Sequence, residues 1–156
     1  MRVRAMAALM LAAGVAAGCA ACGGNGTPST PPACGLLSDG DIQAVTHLAP
    51  TSEGGGGTAA RSTCVWALPN TANGSISLLL IRCGASCPGV LASLAPSPAF
   101  ADTGTELGPG VTGRLGSASI AAQQDRAVIE ITADHPGVNL ASALPELARR
   151  ALGHLT

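Results

Sequence analysis

S-I-S-L-L-L-I-R-C, from Ser75 to Cys83, is the stretch on which the fold turns. Its alternation reads as a β-strand, with Ile76, Leu78 and Leu80 on one face and Leu79 and Ile81 on the other. A strand that is apolar on both sides belongs at the centre of a sheet or under cover on both faces. Upstream, Pro69 to Gly74 ends in Asn73-Gly74 and reads as a turn. T-C-V-W-A-L, Thr63 to Leu68, alternates and makes the preceding strand.

Downstream, Cys87 to Leu94 reads as a short helix with Pro88 in its first turn. Ala95 to Gly110, with three prolines, reads as a long loop. A third strand is expected from Val111 to about Gln123, a tight turn at Gln124-Asp125, and a fourth strand from Arg126 to Thr132. Asp134 to Gly137 is turn chemistry. From Asn139 a helical period runs through Leu140, Leu144, Leu147, Ala148, Ala151, Leu152 and Leu155. Pro145 either kinks this helix or starts its main part.

Before the first strand, Ser38 is a good N-cap, and Asp39 and Asp41 suit the positive end of a helix dipole. Leu37 and Ile42 fit a hydrophobic staple. Asp39-Gly40-Asp41 lacks the remaining oxygen ligands of a calcium loop, so capping is the better reading. E-G-G-G-G-T, within Ala49 to Ser62, has no G-K-[ST] and reads as a mobile loop. The order is helix, two strands, short helix, two strands, helix. The simplest solution is α+β: an antiparallel sheet of about four strands with the N- and C-terminal helices packed on one face.

The chain has 156 residues. Arg2 and Arg4 precede an unbroken apolar or small run from Ala5 to Gly18, shorter than the roughly 20 residues of a spanning helix. Residues 1–18 therefore read as an export signal. A-A-G-C, Ala16 to Cys19, has the form of a lipidation site, and C-A-A-C places a second candidate at Cys22. Cys19 is preferred for the Gly before it. Lipidation at Cys22 instead leaves an even number of cysteines. Residues 19–33 are a tether, rich in Gly, Thr and Pro. Its 13 residues from Ala20 to Pro32 have an r.m.s. span of about 20 Å and an extension of about 45 Å. Residues 34–156 are one domain.

Export makes disulfides the default. Cys34, Cys64, Cys83 and Cys87 lie in the domain and allow three connectivities. Cys34–Cys64 with Cys83–Cys87 is the pairing chosen, one bridge pinning the first helix to the first strand and the other locking a strand end to a turn. Metal binding at Cys83-x-x-x-Cys87 needs reduced thiols and further ligands, and no metal or other cofactor is expected. After the signal, six arginines face nine acids, a net charge of −3, and there is no Lys. That balance argues against nucleic acid or anionic lipid headgroups as partners. One Trp and one Phe leave no stacking platform for bases.

C-G-L-L-S-D-G-D-I at Cys34 to Ile42, C-V-W at Cys64 to Trp66, G-R-L-G-S-A at Gly113 to Ala118, the signal and tether, and the Ala/Leu-rich terminal helix together resemble a family of exported lipoproteins of high-GC Gram-positive bacteria. That family is a domain of unknown function. Ser117 departs from its frequent Gly-Asp-Ala, and Cys83 and Cys87 are an addition. The resemblance implies a surface lipoprotein with the Cys34–Cys64 bridge and brings no activity.

Catalytic signals are thin. His47 and His154 fall at helix ends, and His135 lies in a turn beside Asp134. Asp125 and His135 with a serine make a triad only on paper, and no nucleophile elbow or zinc pair is present. No catalytic residue is assigned. The expectation is a noncatalytic binding or interaction domain of the cell envelope, held by lipid on the extracytoplasmic face, with Ala49–Ser62 and Ala95–Gly110 as its candidate surface. The partner is an envelope protein or a small molecule. Alternatives are plain secretion, a small hydrolase or redox protein, and an accessory subunit of an envelope complex.

Overall fold

The computed structural model describes residues 32–71, 74–96 and 99–155. The signal, both candidate lipid sites and the tether up to residue 31 lie outside them. The described chain opens with a 3-10 turn, Pro32–Gly35, and runs on through α1 (Asp39–Thr46), β1 (Ser52–Gly57), β2 (Arg61–Ala67) and β3 (Ser75–Arg82). It continues through α2 (Cys87–Leu94), β4 (Ala101–Asp102), the one-turn α3 (Gly104–Leu107), β5 (Thr112–Leu115), β6 (Ser119–Gln124), β7 (Ala127–Asp134) and α4 (Leu140–Gly153).

All the strands form one seven-stranded antiparallel sheet in the order β1-β2-β3-β7-β6-β5-β4. The four-strand expectation is too small, for three reasons. First, the glycine-rich segment read as a mobile loop is the edge strand β1, paired with β2 from Ser52↔Ala67 to Gly57↔Ser62. Glycine has low β-propensity and no side chain to pattern, so a neighbouring ladder makes this strand. Second, the long loop contains β4, a two-residue edge paired with β5. Third, the single strand expected over Val111–Gln123 is a hairpin of β5 and β6, closed by the Gly116 N–H donating to the Ser119 carbonyl (2.8 Å). A side chain at Gly116 would strike the ring of Phe100, 2.8 Å from its Cβ position.

The N- and C-terminal helices do pack on one face, as the sequence led us to expect; the short helix between them takes the other. The main core joins α1 and α4 to Trp66, Ile76, Leu78, Leu80, Ile120, Ile129 and Ile131 on one face of the sheet. α2 lies on the other face, where Cys87, Leu91 and Ala95 are buried against Ala121 and Val128. The chain leaves β3 at the centre and must reach the far edge, and crossing β7 and β6 on the second face is the route it takes. α4 is one helix, with Pro145 buried inside it.

The start of the domain is pinned three ways. Cys34 is bridged to Cys64; the second bridge, Cys83–Cys87, lies elsewhere, between the end of β3 and the start of α2. Ala33, fully buried, donates its N–H to the Ser62 hydroxyl (3.0 Å). Ser38 caps α1 in a capping box: its hydroxyl accepts from the Asp41 N–H, and the Asp41 carboxylate accepts from the Ser38 N–H (2.9 Å). Arg150 of α4 reaches the same carboxylate at 3.0 Å, tying the two helices together. The Ser38 backbone N–H, then its hydroxyl, then Arg150 hold the Asp41 carboxyl below its usual value of 3.8.

Three outcomes follow from these contacts. Removing the first bridge by Cys34→Ala with Cys64→Ala lowers unfolding free energy by about 3.5–4 kcal/mol in urea titrations, the entropy of a 30-residue separation. The Cys83–Cys87 bridge, with a separation of 4, contributes about 2 kcal/mol on the same basis. Asp41→Ala costs about 1 kcal/mol near neutral pH. Because the folded pKa is depressed, that contribution is present above the unfolded value near 3.9 and is lost as pH falls through the folded one. Stability curves of the variant and the parent therefore converge below about pH 4.

Candidate functional site

Strand alternation gives the sheet two different faces. On the α2 face the register lays out rows that cross β2, β3 and β7. One row is Arg61, Ile81, Val128; the next is Thr63, Leu79, Glu130; the third is Val65, Ser77, Thr132. α2 covers Val128 and, on β6, Ala121. It stops short of the rest. Leu79 and Ile81 are half-buried, and Val65 is 42% exposed, the one exposed large hydrophobic among the described residues. Beyond β2, Gly54 and Gly56 stand opposite Val65 and Thr63. A Cβ at either glycine would meet nothing within 4 Å, so the outer margin of this face is bare backbone beside open space.

Glu130 stands in the middle row, between Leu79 on β3 and Ala121 on β6. Burial among these neighbours pushes its carboxyl above the usual 4.5. No hydrogen bond or ion pair reaches it among the described residues. The result is a partly apolar, incompletely covered strand surface, or platform, with one half-buried carboxylate. An exposed face of this kind suits a macromolecular partner better than a small ligand, which needs an enclosing pocket.

The loop surfaces expected from the sequence are only partly loops. Ala49–Ser62 contributes β1 and its hairpin, and a depression of about 240 Å³ is lined there by Gly56, Gly57, Arg61, Ser62 and Thr63. Ala95–Gly110 contributes β4 and α3, beside a depression of about 410 Å³ lined by Asp102, Gly104, Val111 and Thr112. Neither set of lining residues includes a histidine or a cysteine.

His135 has a structural task. Its Nδ1 accepts from the Gly137 N–H (3.0 Å), so the proton sits on Nε2 and is donated to the Pro69 carbonyl (3.0 Å). Both nitrogens are engaged in joining the turn after β7 to the turn after β2. Asp125 lies in the turn before β7, at the opposite end of that strand, whose 8 residues alone extend about 25 Å. The paper triad is therefore not assembled. His47 and His154 are exposed C-caps of α1 and α4.

Cys34, Glu53 and Cys64 place potential ligand atoms within 4.8 Å of one another. The two sulfurs are spent in the bridge, so Glu53 Oε1, 3.4 Å from Cys64 Sγ, meets a sulfur with neither a proton to donate nor a charge to share with a metal. No family model matches this chain, and no curated protein matches it.

Sequence reading missed the platform as a site. The available signal was the second apolar face of β3, Leu79 and Ile81. What it lacked was the position of α2. Glu130 yields a test of the platform. A raised folded pKa means the carboxylate costs stability once ionised, so Glu130→Gln is at least as stable as the parent at neutral pH. The sign follows from linkage: the parent is fully favoured below the unfolded value of about 4.3 and loses ground as pH rises through the folded one. Urea midpoints from acid to neutral pH check this. Loss of stability in the variant at neutral pH contradicts a partly desolvated carboxylate without a partner among the described residues.

Proposed function

We propose that this chain is an exported lipoprotein whose domain is a noncatalytic interaction module at the extracytoplasmic face of the cell membrane. Cys19 carries the lipid, with Cys22 as the alternative, and residues 19–33 act as its tether. The resemblance to exported lipoproteins of high-GC Gram-positive bacteria supports the placement. So do the two bridges, since disulfides persist in oxidising compartments.

The observation that carries the interaction reading is the open half of the α2 face. Three adjacent strands present Val65, Leu79 and Ile81 around a half-buried Glu130, bordered by the bare Gly54 and Gly56. Partly burying an ionised carboxylate beside apolar side chains costs stability, and carboxylates perturbed in this way cluster at functional sites. A basic or hydroxyl-bearing group on an otherwise apolar protein surface satisfies Glu130 and covers its neighbours. The partner is an envelope protein, and the accessory-subunit reading is the form that this platform favours.

Intact mass spectrometry of the membrane-extracted protein tests the placement: it yields an N-terminal diacylglyceryl cysteine at residue 19 or 22. An unmodified N-terminus beyond Cys22 removes the anchor from the account. A photocrosslinking residue at Val65 tests the surface. It gives one discrete envelope product that Leu79→Arg abolishes, whereas the same probe at Ala141, exposed on α4, does not give it. Identical products from both positions contradict the platform.

A further inference from the structure

Arg61 opens β2, Arg82 closes β3 and Arg126 immediately precedes β7, and the register gathers all three at one end of three adjacent strands. Arg61 stands opposite Ile81 and Arg82 opposite Ala127, and the N–H groups of Cys83 and Gly84 donate to the Arg126 carbonyl (3.0 and 3.3 Å). At ordinary strand spacing the outer two Cα atoms are roughly 12 Å apart. All three side chains are exposed. None is in an ion pair among the described residues, while Arg149 and Arg150 are paired with Glu146 and Asp41 and Arg114 donates to the Ala95 carbonyl. Asp125 shares the turn with Arg126. At the other end of these strands stand Asp134, closing β7, and Glu53 near the start of β1.

The chain enters the domain at the arginine end. Cys34 is bridged to Cys64, and one residue earlier Ala33 is bonded to Ser62. Walking back from Cys34 to Ala33 thus moves along β2 toward Arg61, and the described chain begins there, at Pro32.

We infer that this end of the sheet docks on the anionic headgroups of the membrane that holds the lipid anchor. The inference rests on the lipoprotein reading. The charge of the whole chain argued against such a partner, but it averages over a molecule in which three arginines without an ion pair among the described residues stand at one end of the sheet. A tether with an r.m.s. span of about 20 Å keeps those cations near the surface at high effective concentration. The net negative remainder is repelled from the same surface, which orients the domain. The strands then stand along the membrane normal, and the open platform faces sideways, toward proteins held in the same membrane.

The test uses the intact lipidated protein in nanodiscs with a paramagnetic headgroup lipid, in phosphatidylcholine alone and mixed with phosphatidylglycerol. With phosphatidylglycerol, amide signals at Arg61, Arg82, Cys83, Gly84 and Arg126 broaden and those at Asp134 and His135 do not. The docked-to-undocked population ratio that this broadening reports falls about fivefold for each arginine changed to glutamine, and docking vanishes in high salt. Arg61→Lys with Arg82→Lys and Arg126→Lys keeps the effect, which separates lost charge from lost fold. Equal broadening of both ends, or indifference to phosphatidylglycerol, overturns the docking while mass spectrometry still finds the lipid. A response seen only after adding wall glycan or another protein also overturns it. If mass spectrometry finds no lipid, the anchor fails instead.

Discussion

The pairing of β3 with β7 is the interaction on which the rest depends. The chain makes two separate meanders, β1-β2-β3 and β4-β5-β6-β7, and eight register pairs from Ser75↔Asp134 to Arg82↔Ala127 weld them into one sheet. Neither meander buries its apolar face alone. Ile76, Leu78 and Leu80 from one meander and Ile129 and Ile131 from the other form a continuous floor, on which α1 and α4 close. The same pairing aligns Leu79 with Glu130 and sets Arg82 one residue from Arg126, so both surfaces discussed above are products of this register.

The two sides of this weld are treated unequally. One face is closed by two helices held to each other through Arg150 and Asp41. The other receives only the eight residues of α2, held at its start by the Cys83–Cys87 bridge. That helix spans β7 and β6 and leaves β2 and β3 partly open. The platform is thus what remains when a short crossover helix covers half a sheet. The carboxylate of Glu130 sits at the boundary between the covered and open halves.

Much of the core was legible in the sequence because its residues alternate. β3, β7, the terminal helix, the α1 cap at Ser38 and the turn at Gln124-Asp125 all carry local signals. The missing strands carry none. Glycines in β1 adopt an extended form only because β2 supplies a ladder, β4 is too short to show a period, and Gly116-Ser117-Ala118 turns the chain without a strong turn residue pair. The arginine end was hidden for another reason: residues 61, 82 and 126 are far apart in sequence and meet only through register. His135 was legible as a turn residue but not as the bridge between two turns.

Native-state hydrogen exchange measured residue by residue tests the central weld most directly. Amides of β3 and β7 should exchange only through global unfolding and with the same free energy, while those of β1 and β4 exchange through smaller openings. Exchange of β1-β2-β3 and β4-β5-β6-β7 as two independent units, with different free energies for β3 and β7, would contradict the account.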